Sequence, residues 1–135
     1  MENIIKLVES VKQASYHLIS METVKKNKVI QNLIDLIDEN RQLILIENDK
    51  DITKGEQDEL SQVLLKRLIL NDKKIDDMLE GLNDVLNLPD PAGKIQAKTS
   101  LDDGLILEKV SVPLGVIGVI FESRPDALIQ ISSLC

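Results

Sequence analysis

Apolar residues recur every three to four positions through roughly the first ninety residues of the chain, which is the spacing of amphipathic helices. The apolar stripes cover residues 4–18, 29–37, 60–68 and 75–86. Thr23 precedes the second stripe and Asn71 the fourth, and both residue types favour the N-cap of a helix. The pattern therefore predicts four helices in this part of the chain.

The helical part also contains an ambiguous apolar run and two prolines. The short apolar run from Leu43 to Ile46 fits either a strand or a helix, and its polar flanks do not decide between them. Pro89 and Pro91 end the last helix, because proline cannot continue a helix and disfavours the helical conformation of the residue before it. Residues 1–93 are accordingly predicted to form an N-terminal helical part.

The pattern changes to a β type beyond Gly93. Two short runs, Lys94 to Thr99 and Leu105 to Val112, flank the sequence Asp102-Asp103-Gly104, which is a hairpin turn signal. Residues 94–112 are therefore predicted to form a β-hairpin.

Residues 113–135 have the pattern of a strand, a turn and a helix. From Leu114 to Phe121 every residue other than glycine is apolar, which is typical of a strand covered on both faces in the middle of a sheet. An apolar helical pattern runs from Asp126 to Leu134, and Ser123 stands three residues before Asp126, the spacing of a capping box. This segment predicts the opening unit of a parallel α/β sheet.

That prediction does not fit the length of the chain. A buried central strand needs parallel neighbours, and each neighbour needs a crossover of about a dozen or more residues. The sequence ends at Cys135, inside the first such helix. We therefore expect it to be the N-terminal part of a larger protein.

Composition and charge exclude several function classes. A net charge of −7 has the wrong sign for a sequence-independent nucleic-acid binder or for an anionic membrane surface. The longest apolar stretch, Val112 to Phe121, is too short to span a membrane, and no signal peptide is visible. One cysteine and one histidine exclude a disulfide framework and the cysteine- or histidine-rich metal motifs, so an intracellular, reducing compartment is expected.

The best candidate site is the turn Glu122-Ser123-Arg124-Pro125. In open α/β sheets ligands bind outside the carboxyl ends of the strands, against helix N-termini, and Arg124 could add a forked donor for a carboxylate or phosphate. In the alternative interpretation Ser123 and Asp126 only cap the helix, and Arg124 pairs with Glu122 or Asp126. The spacing leaves both interpretations open.

The single cysteine and histidine are not candidate catalytic residues. Cys135 lies on an apolar helical stretch, and the C-terminal half of the chain has no histidine to activate it. His17, beside Tyr16, fits a half-exposed helix position better than a base or a ligand.

Several sequence motifs together resemble one enzyme family. The stretch from Val112 to Asp126, VPLGVIGVIFESRPD, resembles the signature of γ-glutamyl phosphate reductase, also called glutamate-5-semialdehyde dehydrogenase. This is the proline-biosynthesis branch of the aldehyde dehydrogenase superfamily. Further matching stretches, in the family's order, are Lys12 to Tyr16, Ile46 to Ile52, Leu65 to Leu68, Asp90 to Gly93 and Asp103 to Lys109.

The resemblance implies an NADPH-dependent reduction of L-glutamyl 5-phosphate to L-glutamate 5-semialdehyde, with release of phosphate, in L-proline biosynthesis. A cysteine thiolate would displace phosphate to give a thioacyl enzyme, and hydride from NADPH would then release the aldehyde. The family also implies a cytoplasmic enzyme, a functional link to glutamate 5-kinase, and a homo-oligomer formed through a β-arm.

For the fold, the resemblance implies α/β architecture: N-terminal helices, a β-hairpin arm at residues 94–112, and the first strand-turn-helix of a truncated Rossmann-like cofactor domain at residues 113–135. Residues 1–93 would be the helical part of that cofactor domain.

For the site, the resemblance implies that no catalytic residue lies in this chain. Nothing in it matches the family's nucleophilic cysteine segment, and Cys135 matches a cysteine that is not the nucleophile. Arg124 aligns with the position of an oxyanion-stabilising Asn in the wider superfamily, so it would steady the acyl oxygen or the phosphate. Glu122, Ser123 and Pro125 would shape the wall of this cofactor- or substrate-binding surface, and no metal is implied.

A second function class remains open. The chain could be a non-catalytic fragment that acts as an oligomerisation or interaction module, for example by pairing through residues 94–112. Such a module should be soluble and unfold cooperatively, whereas a cut fragment should aggregate or be molten.

Overall fold

The computed structural model describes residues 2–135, and within that range it contains six helices and a two-stranded antiparallel sheet. The elements are α1 (Glu2–Ile19), α2 (Thr23–Glu39), α3 (Arg41–Gln57), α4 (Gln62–Leu68), α5 (Asp72–Asn87), β1 (Ile95–Asp102), β2 (Leu105–Val110) and α6 (Pro125–Leu134). The predicted α/β class, with N-terminal helices and a β-hairpin, is confirmed.

Helix boundaries follow local side-chain chemistry. The predicted cap of α5 is confirmed, because the Asn71 side chain accepts a hydrogen bond from the Lys74 N–H at 2.9 Å. Thr23 is instead the first residue of α2, and its Oγ1 donates to Asp90 Oδ2 at 2.9 Å. The undecided run from Leu43 to Ile46 lies inside α3 and is helical.

The chain forms two compact units. The first comprises the chain up to Thr23 together with Pro89–Gly118, and the second comprises Val24–Leu88 together with Val119–Cys135. The first unit therefore holds α1 and the hairpin. The second holds helices α2 to α6 and the buried hydrophobic cluster.

The core of the second unit is built around α5. Ile75 and Leu82 are 0% and 1% exposed, and Met78 lies between them on the same face at helical spacing. Ile34 and Ile37 of α2 pack into the same cluster. The further members and neighbours of this cluster are Leu70, Ile30, Leu33, Ile44, Leu45, Leu79, Leu86 and Ile129.

A buried asparagine fixes the connection between α4 and α5. Asn48 of α3 is 4% exposed. Its Nδ2 donates to the Leu68 carbonyl at 2.9 Å, and its Oδ1 accepts from the Leu70 N–H at 2.7 Å. One amide side chain thus satisfies two backbone groups that have no partner inside a helix, the carbonyl of the last residue of α4 and an N–H of the α4–α5 linker.

The hairpin of the first unit forms as the sequence predicts. β1 and β2 pair antiparallel, with Lys98 opposite Glu108, and the side chains of these two residues form an ion pair at 2.5 Å. Gly104 in the connecting turn has a φ of +76°, a left-handed conformation that glycine adopts without steric cost. Every residue of both strands is exposed.

The predicted strand at Leu114–Phe121 is absent, which corrects the sequence-based prediction. Residues 111–121 belong to no helix or strand. Leu114 and Ile120 are 91% and 101% exposed. A strand exists only when a neighbour accepts and donates its backbone hydrogen bonds, and residues 2–135 provide no such neighbour for this segment. Apolarity alone could not supply that neighbour.

Two helical glycines give a matched pair of stability predictions. A Cβ at Gly81 of α5 would meet nothing within 4 Å, whereas a Cβ at Gly55 of α3 would lie 3.0 Å from Leu60 Cδ1 and 3.1 Å from Leu65 Cδ2. We expect Gly81→Ala to raise the free energy of unfolding by about 0.5–1 kcal/mol, through helix propensity alone. In Gly55→Ala the added Cβ would crowd the Leu60 and Leu65 side chains, and this should cancel the gain in the free energy of unfolding. Urea unfolding followed by circular dichroism measures both, and an equal gain at both positions would contradict the packing at Gly55.

Candidate functional site

The candidate turn leads directly into α6. Arg124 is the N-cap residue of this helix, and Pro125 occupies the first helical turn, where its missing N–H has no cost. Ser123 has a φ of +51°, in the left-handed region that residues other than glycine seldom adopt. The turn is therefore sharp, and it places the Arg124 backbone at the start of the helix.

The predicted capping box is wrong. Ser123 lies one residue before the cap, and no side chain makes a capping hydrogen bond to α6. Arg124 Nη2 instead contacts Asp126 Oδ2 at 3.1 Å. Capping-box geometry needs the serine itself at the N-cap, and the left-handed Ser123 moves that role to Arg124. Of the two ion pairs considered from the sequence, the pair with Asp126 is the one that forms among the described residues.

Arg124 lies in a basic cleft of the second unit. The cleft is open, has a volume of about 440 Å³, and is lined by Lys66, Arg67, Lys74, Arg124 and Asp126. Four of these five side chains are cationic. The whole chain has a net charge of −7, so the sign of the charge is locally reversed here. We call this site the basic cleft.

Three helices and the linker between two of them position the cations. Lys66 and Arg67 lie in the last turn of α4, where the helix dipole favours cations. Lys74 lies in the first turn of α5, where the dipole opposes them, and its Nζ donates to the Ile69 carbonyl of the α4–α5 linker. Helix stability therefore explains the two cations of α4 but not Lys74.

Most of the cationic charge in the cleft is uncompensated. Within residues 2–135, Lys66, Arg67 and Lys74 form no ion pair, and the Asp126 carboxylate contacts Arg124 alone. Asp126 is the better buried partner, with a side chain 17% exposed against 53% for Arg124. The arrangement can accept an anion at the exposed cationic groups.

Sequence reasoning placed Arg124 at the site but missed the three cations of α4 and α5. The signal that could have found two of them is the adjacent pair Lys66-Arg67 in an acidic chain. Lys74 is fifty positions before Arg124 in the sequence, and no spacing rule connects them.

The other residues considered from the sequence lie away from the cleft. Cys135 is an exposed free thiol at the C-terminal end of α6. His17 is exposed on α1, in the other unit. The described part of the chain contains no cluster of acidic, histidine or cysteine side chains suited to a metal ion. None of its helices is both long enough and apolar enough to cross a membrane.

The chain is similar to curated proteins along nearly its whole length, although no family model matches it. It is 43% identical over 133 residues to γ-glutamyl phosphate reductase of Acetivibrio thermocellus, a match that covers 98% of this chain and 31% of the relative. It is 42% identical over 132 residues to the enzyme of the same name from Methanosarcina mazei, covering 95% of this chain and 30% of the relative.

Solved structures give the same result for the fold. The γ-glutamyl phosphate reductase of Saccharomyces cerevisiae superposes with a TM-score of 0.91 at 33% identity, over 96% of this chain and 33% of its own. The Thermotoga maritima enzyme superposes with a TM-score of 0.90 at 35% identity, over 96% of this chain and 31% of its own. The chain therefore spans about a third of these relatives, and over essentially its whole length it is homologous to the N-terminal part of γ-glutamyl phosphate reductase.

Proposed function

We propose that this chain provides the N-terminal part of an NADPH-dependent reductase that converts L-glutamyl 5-phosphate to L-glutamate 5-semialdehyde and phosphate, in L-proline biosynthesis. The observation that carries the proposal is the 43% identity to a γ-glutamyl phosphate reductase over 98% of the chain. The enzyme works in the cytoplasm, on an acyl phosphate that a glutamate 5-kinase supplies.

The chemistry divides between this chain and segments outside it. A cysteine thiolate attacks the acyl carbon and phosphate leaves with the electron pair of the broken C–O bond. Hydride then adds to the thioester carbon and the thiolate departs, which gives the aldehyde. The nucleophile is not in this chain, whose single cysteine is Cys135. The chain alone is accordingly inactive.

The contribution of this chain is a binding surface. NADPH supplies the hydride, and the donor set of the basic cleft fits a phosphate-bearing ligand, because its cations exceed its carboxylates. Arg124 holds the acyl oxygen or the phosphate, while Glu122, Ser123 and Pro125 form the adjoining wall. Residues 1–93 and 113–135 belong to the cofactor domain in this proposal.

A chimaera tests the proposed function in cells. The chain replaces the matching third of the A. thermocellus relative, and the product is expressed in a bacterium whose own γ-glutamyl phosphate reductase gene is deleted. We expect growth without proline from the chimaera, and none from the chain alone. No growth, from a chimaera that accumulates as folded protein while the unaltered relative supports growth, would contradict the proposal.

A second function, as an oligomerisation module, is supported by the hairpin. All residues of β1 and β2 are exposed, and among them are Leu105, Ile106 and Leu107. An apolar strand pair with both faces exposed is suited to a partner surface. In the complete enzyme residues 94–112 form the arm through which identical subunits associate.

The module function gives a prediction for the isolated chain. We expect it to self-associate in sedimentation equilibrium, and we expect Leu107→Lys to shift the distribution toward monomer, because the charge would be buried at the contact. Lys109→Gln, on the same strand, is the control and should leave association unchanged. A monomeric wild-type chain, or association that ignores Leu107→Lys, would contradict a role for this hairpin.

A further inference from the structure

The proposed function gives an individual role to Arg124 of the basic cleft but not to its other three cations. They lie on α4 and α5, about fifty or more positions before Arg124 in the sequence. We propose that Lys66, Arg67 and Lys74 act with Arg124 as a binding site for a phosphate dianion. The inference rests on the proposed function only in naming the two ligands that could carry that dianion. Phosphate binding itself does not depend on it.

The charge balance of the cleft is the first support. The chain has 16 lysine and arginine residues against 23 aspartate and glutamate residues, yet four cations and one carboxylate line the cleft. Like charges brought together repel one another, so such a cluster costs stability unless an anion joins it. An anionic ligand removes that cost and gains several charge-assisted hydrogen bonds.

The donor geometry is the second support. Arg67 and Arg124 each offer a planar guanidinium that can bind two phosphate oxygens, while Lys66 and Lys74 offer point charges that can reach a third. Only Nη2 of Arg124 contacts Asp126 among the described residues, so the other donors of this guanidinium can point to a ligand. The carboxylate that would repel an anion is thereby paired.

The stiffness of the cleft floor is the third support. Asn48 holds both sides of the α4–α5 linker, Asn71 caps α5, and the Lys74 Nζ is hydrogen-bonded to the linker at Ile69. These contacts fix the backbone that carries the cations before any ligand arrives. A preorganised set of donors binds an anion with less loss of conformational entropy.

Two sources of the phosphate group share this chemistry. One is the acyl phosphate, whose phosphoryl group leaves during the reaction, and the other is the 2′-phosphate that distinguishes NADPH from NADH. The two are separated by asking which ligand loses affinity when the cleft loses a cation.

The first test uses inorganic phosphate and the chain itself, followed by amide shifts in ¹H–¹⁵N correlation spectra. We expect shifts at residues 66, 67, 74 and 124 that saturate with phosphate. Arg67→Gln should bind phosphate at least about tenfold more weakly than the wild-type chain. Lys73→Gln is the matched control. It also removes one positive charge, and Lys73 is the sequence neighbour of Lys74 but does not line the cleft. Shifts that do not saturate, or equal weakening by Lys73→Gln, would overturn the site.

The second test uses the chimaera and separates the two sources. The reaction is followed in the direction that oxidises the semialdehyde and consumes phosphate. If the acyl phosphate occupies the cleft, Arg67→Gln raises the KM for phosphate about tenfold or more and leaves the KM for NADP⁺ unchanged. If the 2′-phosphate occupies it, the KM for NADP⁺ rises instead, and the KM for NAD⁺ does not. An unchanged KM for every substrate would overturn the site. An inactive chimaera whose chain still binds phosphate would refute the proposed function and leave the site standing.

Discussion

Replacing Asn48 by alanine is expected to lower the free energy of unfolding of the chain by about 2–3 kcal/mol. The change leaves the Leu68 carbonyl and the Leu70 N–H without their partner in a site where Asn48 is 4% exposed. A buried backbone group without a hydrogen bond keeps its full desolvation cost, which applies to the buried Leu70 N–H and in part to the half-buried Leu68 carbonyl.

Urea unfolding followed by circular dichroism measures this loss. Asn83→Ala is the matched control, because Asn83 Nδ2 also donates to a carbonyl, that of Leu79 at 2.8 Å, but from an exposed position on α5. Its free energy should change by less than about 0.5 kcal/mol. Asn48→Asp should also destabilise the chain. It keeps the acceptor for the Leu70 N–H, but it removes the donor to the Leu68 carbonyl and buries a charge. Equal effects of Asn48→Ala and Asn83→Ala would refute the clamp on the linker.

The second large effect concerns activity. Arg124→Lys in the chimaera is expected to lower kcat at least about tenfold, because an ammonium group keeps the charge but loses the planar pair of donors. Steady-state kinetics with the substrate pair of the proposed reaction measure this change.

Two further variants separate a binding role from a structural one. Asp126→Asn breaks the contact of Arg124 with Asp126 and leaves the guanidinium in place, so kcat should fall much less than in Arg124→Lys. Arg41→Lys alters the other ion-paired arginine of the second unit, which contacts Asp38 at 2.9 Å and Asp76 at 2.7 Å, and should change stability without changing kcat. If Asp126→Asn lowered kcat as far as Arg124→Lys does, Arg124 would only fasten the start of α6.

Helices were predictable where their signals are local. Ile75, Met78 and Leu82 repeat at helical spacing after the cap at Asn71, so the sequence defines α5 and its buried face. α3 lacks such a signal, because its buried positions include Asn48 and Gly55. Hydrophobic periodicity does not register a buried asparagine or glycine, so it does not decide whether the run from Leu43 to Ile46 is helical.

Features that depend on distant partners were not predictable. The segment Leu114–Phe121 has the composition of a buried strand, but strand formation also needs neighbours that residues 2–135 do not provide. Lys74 and Arg124 line the same cleft because α5 packs against α6, and local sequence patterns do not encode that packing. The capping box does not form because Ser123 adopts a φ of +51°, and the spacing of Ser123 and Asp126 does not predict that angle.

The phosphate dependence of the purified chimaera tests the central claim most directly. L-glutamate 5-semialdehyde and NADP⁺ are supplied, and NADPH formation is followed while the phosphate concentration is varied. Acyl-phosphate chemistry predicts a rate that rises with phosphate to saturation and vanishes without it, because phosphate must release the thioacyl enzyme. Oxidation at the same rate without phosphate would mean that water releases the acyl group, and it would contradict the proposed function.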